Sequence, residues 1–226
     1  MTRNRVLIGL TALTMMLALL FDAPRAAAAI IYDNGGPNTG AGGPITGVVS
    51  DEGGVEAADD FVLATGQSTI RDIHWSGEYA GGAPPATDSF TANIYSDASG
   101  APDALVTAVA FGPISRVDAG INSAIFNFAA TVSAVSLTAG TTYWLSILNQ
   151  NDTVSWLWTD NGATGNSRQR ILPGEEWFII NDFGLTFSLT DDGAGGQVPE
   201  PGTLMLLISG AIGLGWLRGR AHGGQP

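Results

Sequence analysis

Few side chains in this sequence could do chemistry, and those present are nearly all of one kind. Between Ile30 and Val198 lie nineteen Asp and Glu residues, four arginines (Arg71, Arg116, Arg168 and Arg170) and one histidine, His74, with no lysine or cysteine. Without a thiol there is no cysteine nucleophile, no disulfide framework and no Cys-based zinc site. A serine nucleophile needs a base and a strained turn to present it, and the G-x-S-x-G elbow is missing. The phosphate-binding loop, the fingerprint G-x-G-x-x-G and the zinc helix H-E-x-x-H are missing too. His74 stands in the run Thr69–Trp75, where alternation sets it opposite Ile73 and Trp75. That is the position of a surface residue rather than of a general base.

Carboxylates and aromatics remain. A glycosidase would need two acids facing a sugar from either side, and Asp59, Asp60, Glu78, Glu175 and Glu176 are available, but spacing alone does not say which converge. Asp97 and Asp103 bracket a turn, and oxygen ligands in an acidic chain suit calcium. Their spacing fits no EF-hand loop, however, and Asp ahead of Ser99-Gly100 is ordinary turn chemistry. No catalytic residue, metal site or cofactor is assigned. Trp156 and Trp158, two apart, share one strand face. Exposed, such a pair could stack on sugar rings as a possible ligand-binding surface; buried, it is core.

Four positive charges against nineteen negative ones give the body a formal charge of −15. Binding phosphates requires a basic footprint, so nucleic acid is excluded as a partner. The same charge keeps the body soluble.

The elements that must position these residues read as strands. Short β-rich runs are Asp60–Ala64, Thr69–Trp75, Ser89–Ser96, Leu105–Phe111, Ala124–Phe128, Val132–Leu137, Thr142–Leu148, Val154–Trp158, Trp177–Ile180 and Leu185–Leu189. Turn chemistry separates them at Asn34-Gly35-Gly36-Pro37, Asp97-Ala98-Ser99-Gly100, Ala139-Gly140 and Asn161-Gly162. About ten strands with no amphipathic helix and no repeat period predict an all-β fold, a single jelly-roll-like β-sandwich over residues 30–190. Residues 160–176 form the longest stretch without a strand signal, and a Gly-rich tether spans 191–197.

Both ends read as addresses. Arg3 and Arg5 precede an apolar run from Val6 to Phe21, and Ala26-Ala27-Ala28-Ala29 follows Pro24. A basic start, an apolar centre and a small-residue site make residues 1–29 a secretory signal peptide. At the other end Val198, Pro199, Glu200 and Pro201 precede an apolar run, Thr203 to Leu217, then Arg218 and Arg220 and a short cytoplasmic tail, 221–226. Pro199 and Pro201 fix φ on both sides of Glu200 and bar a helix there, so the motif stays extended and open to an enzyme. The fifteen apolar residues span roughly 22 Å as a helix, against a hydrocarbon core of about 30 Å. That suits a temporary anchor, with the arginines as the basic stop on the cytoplasmic side. A permanent tail anchor is the alternative.

The order of these parts resembles the PEP-CTERM sorting signal: a Val-Pro-Glu-Pro motif, a transmembrane stretch and a basic cluster, here reduced to two arginines split by Gly219. The resemblance covers residues 198–220. It implies export, a stay in the inner membrane with the body in the periplasm, and processing by an exosortase-type enzyme. It further implies a final place at the cell surface or outside the cell, near exopolysaccharide or biofilm. Ala58-Asp59-Asp60-Phe61-Val62-Leu63, Phe90–Pro102 and Leu137–Ile147 also resemble ectodomains common on PEP-CTERM proteins, which imply no particular activity. Three functions follow as expectations: a non-enzymatic surface or matrix protein, a carbohydrate-binding module using exposed Trp156 and Trp158, and a secreted hydrolase with paired acids. The leader generates a direct prediction. The exported protein begins at Ile30, and intact-mass analysis showing residues 1–29 retained contradicts it.

Overall fold

The computed structural model describes residues 28–38, 47–80, 83–120, 125–151, 153–171, 173–180 and 183–191. The leader as far as Ala27, and the whole sorting segment with its apolar run 203–217, lie outside the described residues.

The body, residues 28–192, forms one compact unit. Thirteen strands are present among the described residues. They are β1 (Ala29–Asp33), β2 (Gly47–Val49), β3 (Glu56–Val62), β4 (Thr69–Tyr79), β5 (Asp88–Asp97), β6 (Pro102–Ile114) and β7 (Arg116–Asp118). They continue as β8 (Ile125–Ser136), β9 (Thr142–Asn149), β10 (Trp156–Thr159), β11 (Arg168–Arg170), β12 (Phe178–Ile179) and β13 (Phe187–Asp191). No described residue is helical. The expected all-β class is what forms, built as two antiparallel sheets.

The first sheet is organised around β4. Along one side of it runs β8, paired from Thr69↔Ser136 to Glu78↔Ile125. The other side is shared: β13 pairs with Asp72–Trp75 and β10 with Gly77–Tyr79. Outside these lie β1 on β13, β2 on β10 and β7 on β8. The second sheet runs β12-β11-β3-β9-β5-β6. Alternation does the sorting. In β5 Phe90, Ala92 and Ile94 enter the core, and in β9 Leu145 and Ile147 do, while Trp144 joins a second cluster with Ala58 and Tyr95.

Both sheets supply one aromatic core. Trp75 stacks on Phe128 (5.7 Å between centroids) and Phe111 (5.6 Å), and Phe90 meets Trp75, Phe128 and Trp156 edge to face. The chain continues through Trp158 and Phe187 to Phe61 and Tyr32. Each fully buried large side chain contributes roughly 1.5–3 kcal/mol by leaving water, and with no cysteine this core is what holds the sheets together.

Sequence periodicity located most strands but not all. Ala124–Phe128 and Val132–Leu137 are one continuous strand, β8, which bulges against β4 between Ile70 and Asp72. Strands β1, β2, β7 and β11 carry no such signal, and β11 lies within the 160–176 stretch that lacked one. They are short, three to five residues each, so alternation has no length in which to appear.

Gly77 shows how closely the first sheet is packed. A Cβ there would overlap the indole ring of Trp156, which lies across the glycine. Gly77→Ala should therefore cost about 1–3 kcal/mol or more through overpacking, read as a lowered urea midpoint. Gly112→Ala, where a Cβ meets nothing within 4 Å, should change the midpoint little.

Candidate functional site

Strand β3 sends its side chains alternately to the two faces of the second sheet. On the outer face Glu56 is the hub. Its Oε2 accepts from Arg170 Nε (2.8 Å) and a terminal Arg170 nitrogen (2.5 Å), and its Oε1 accepts from Asn93 (3.1 Å) and the Tyr95 hydroxyl (2.8 Å). Burial first, then the Glu56 carboxylate, pushes the Tyr95 hydroxyl up. The Arg170 guanidinium also lies 4.6 Å from the Trp177 ring centroid and 5.5 Å from that of Tyr95. Beside it Arg168 stacks 5.4 Å from Trp144 and donates to the Gly100 carbonyl. A recess of about 170 Å³ opens next to Glu56, Arg170 and the turn Asp51–Val55. Four donors occupy the Glu56 carboxylate, so this cluster is a closed ionic and aromatic fitting rather than an open anion site. Removing either charge would leave the other buried and unpaired.

Facing inward from the same strand, Asp59 ties the two sheets together. Its Oδ2 accepts from Asn34 Nδ2 (2.7 Å) and from the backbone N–H of Leu185 (2.6 Å), and its Oδ1 accepts from the backbone N–H of Asp60. Asn34 follows β1 and Leu185 precedes β13, both in the first sheet. Burial pushes the Asp59 carboxyl up to about 7, with the Asp60 charge adding to it and the three donors pulling the other way. A third polar fixture lies between sheets at Asp88, which accepts from Arg116 (2.9 Å) and the Tyr79 hydroxyl (2.5 Å).

A recess of about 550 Å³ lies over the outer face of the first sheet and includes Asp33, His74, Ser76, Val117, Asn127 and Ser188 in its lining. His74 is half-buried on that face, opposite Trp75, as alternation predicts. The Ser76 hydroxyl donates its proton to Asn127 Oδ1 (2.7 Å) rather than to the imidazole.

Trp156 and Trp158 are each 0% exposed. They do share a face, but it is the core face, so the exposed sugar-stacking pair is corrected to buried core. Trp158 Nε1 donates to the Thr186 carbonyl at 2.8 Å. Asp97 accepts from Trp144 Nε1 (2.9 Å) and from the Gly100 N–H, while Ser99 and Gly100 have φ of 58° and 80°. Positive φ at both central residues is the tight hairpin turn joining β5 to β6, which gives Asp97 the turn role. The fixtures at Glu56, Asp59 and Asp88 had no signal in the sequence, since all three acids precede the runs read as strands. Apart from Tyr79, nine residues from Asp88, and the adjacent Asp60 N–H, their partners lie at least 25 residues away in the chain.

Val198, Pro199, Glu200, Pro201, Arg218 and Arg220 lie outside the described residues, and the last described strand ends at Asp191. Residues 197–220 match the family model of the PEP-CTERM protein-sorting motif. No curated protein and no solved structure matches the chain.

Asp59 makes stability depend on pH. Its folded value of about 7 lies above the ordinary aspartate value of 3.8, so the folded state holds the proton more tightly. Its contribution is fully present below about pH 4 and falls away as pH rises to about 7. Urea unfolding should give a lower stability at pH 8 than at pH 5, and Asp59→Asn should shrink that difference. An equal difference in both proteins contradicts the assignment.

Proposed function

We propose that this chain, which carries the PEP-CTERM sorting motif, is a non-enzymatic surface or matrix protein delivered outside the inner membrane. An exosortase-type enzyme releases or transfers it by acting near Pro199-Glu200-Pro201. The single observation that carries this reading is the motif at 197–220, beginning a few residues after the last strand ends at Asp191. The motif means export and membrane attachment through the C-terminus. A place in the periplasm, then at the cell surface near exopolysaccharide, is the finer part of the proposal.

The body supports a structural role in two ways. The carboxylates of Glu56, Asp59 and Asp88 each accept hydrogen bonds from groups of the body itself. The core among the described residues draws on both sheets, which fits a jelly-roll-like sandwich.

The test is made in the native host by cell fractionation and mass spectrometry of the mature C-terminus. Wild-type protein should have lost Arg218 and Arg220 and left the inner membrane. Pro199, Glu200 and Pro201 changed together to Ala should leave full-length protein in that membrane, and deletion of 198–226 should release a folded body. Retention of both arginines in the wild type, with identical fractionation of the triple variant, contradicts the proposal.

A further inference from the structure

A sheet edge presents a row of unpaired backbone N–H and C=O groups, and proteins guard such edges with short strands, charges or proline. Most edges here are guarded. Strand β2 has three residues, β1 carries Asp33, and β12 has two residues just after Glu175 and Glu176. Strand β6 is different. It is 13 residues long, and β5 is its only strand partner among the described residues. From Ala104 to Phe111 it reads Ala-Leu-Val-Thr-Ala-Val-Ala-Phe, with no charge and no proline. Leu105 is 53% and Val106 46% exposed, and Ala104, Ala108 and Ala110 are exposed as well. The guards stand only at its ends: Pro102 and Asp103 before, Gly112 and Pro113 after.

The charge distribution isolates this edge. Between Asp103 and Asp152 the only charged residues are Arg116 and Asp118, in a body that otherwise carries almost all of its nineteen acids elsewhere. Strand β8, which packs beside β6, has no charged residue and continues past its last pair with β7 from Ala129 to Ser136.

We propose that β6 pairs antiparallel with β6 of a second copy of this chain, joining two six-stranded sheets into one across a two-fold axis. An open ladder is completed by a strand, and a two-fold contact lets one strand meet itself. Two bodies at −15 repel on their acidic sides, so they approach where charge is absent. A basic or acidic partner would find no opposite charge along Ala104–Phe111, whereas an identical neutral strand loses no ion hydration there. This contact does not depend on the sorting proposal.

The experiment uses the full-length chain in neutral detergent at roughly 100 µM, where a weak contact of this size is populated. Sedimentation should give a discrete dimer for wild type and a monomer for Val106→Lys with Ala108→Lys, both exposed sites, with the melting temperature unchanged. Because the chain has no cysteine, single-cysteine variants at positions 105 to 109 report the register. Disulfide dimers should peak at one position and fall off on either side, while Ala86→Cys, exposed elsewhere, stays reduced. A monomeric wild type, open-ended aggregates, a dimer that the lysines leave intact, or no peak in the cysteine series overturns the proposal. If the lysine pair lowers the melting temperature, the cysteine series alone decides.

Discussion

The fold depends on its last strand. Strand β13 lies between β1 and β4, antiparallel to both, so the last described residues, Phe187 to Asp191, form an interior strand rather than a trailing edge. Strand β1 has no other strand partner among the described residues, and Leu185, Phe187 and Leu189 are fully or almost fully buried in the core. The residues just before β13 hold the two fixtures nearest to it. Leu185 donates its N–H to Asp59, and the Thr186 carbonyl accepts from Trp158. Withdrawing the strand would therefore open the first sheet, the core and the link between sheets together.

That placement bears on how the chain is handled. Ala29 pairs with Asp191 in register, so the segment next to the leader and the segment next to the sorting motif leave the body from the same end of the same strand pair. Cutting after Ala29 removes one pair from β1 and leaves Ile30 to Asp33 engaged. At the other end, the motif at 197–220 begins after the ladder has ended. With no cysteine in the chain, no disulfide contributes to the body's fold.

Much of this was legible in the sequence, and for identifiable reasons. Strands β5 and β9 are ten and eight residues long, enough for the period to show at Phe90, Ala92 and Ile94 and at Leu145 and Ile147, and Gly35, Gly100, Gly140 and Gly162 all adopt the positive φ that their turns imply. The tail was legible because its signal is linear. Other features were hidden because they are set by distant parts of the chain. Nothing local to Arg168-Gln169-Arg170 says that it pairs with β3 and that Arg170 reaches Glu56. The choice between an exposed and a buried Trp156–Trp158 pair turned on which sheet face β10 presents, and period-two spacing gives the pairing of side chains without the side. Asp59 looked like one of many surface acids, because only the folded chain brings Asn34 and Leu185 to it.

Native-state hydrogen exchange at β13 tests the central claim most directly. The amides of Phe187 to Asp191 that bond into the ladders should exchange only through global unfolding, with protection equal to that of β4 and unchanged when residues 198–226 are absent. Fast exchange of β13 while β4 stays protected, or loss of its protection along with the tail, would contradict the account.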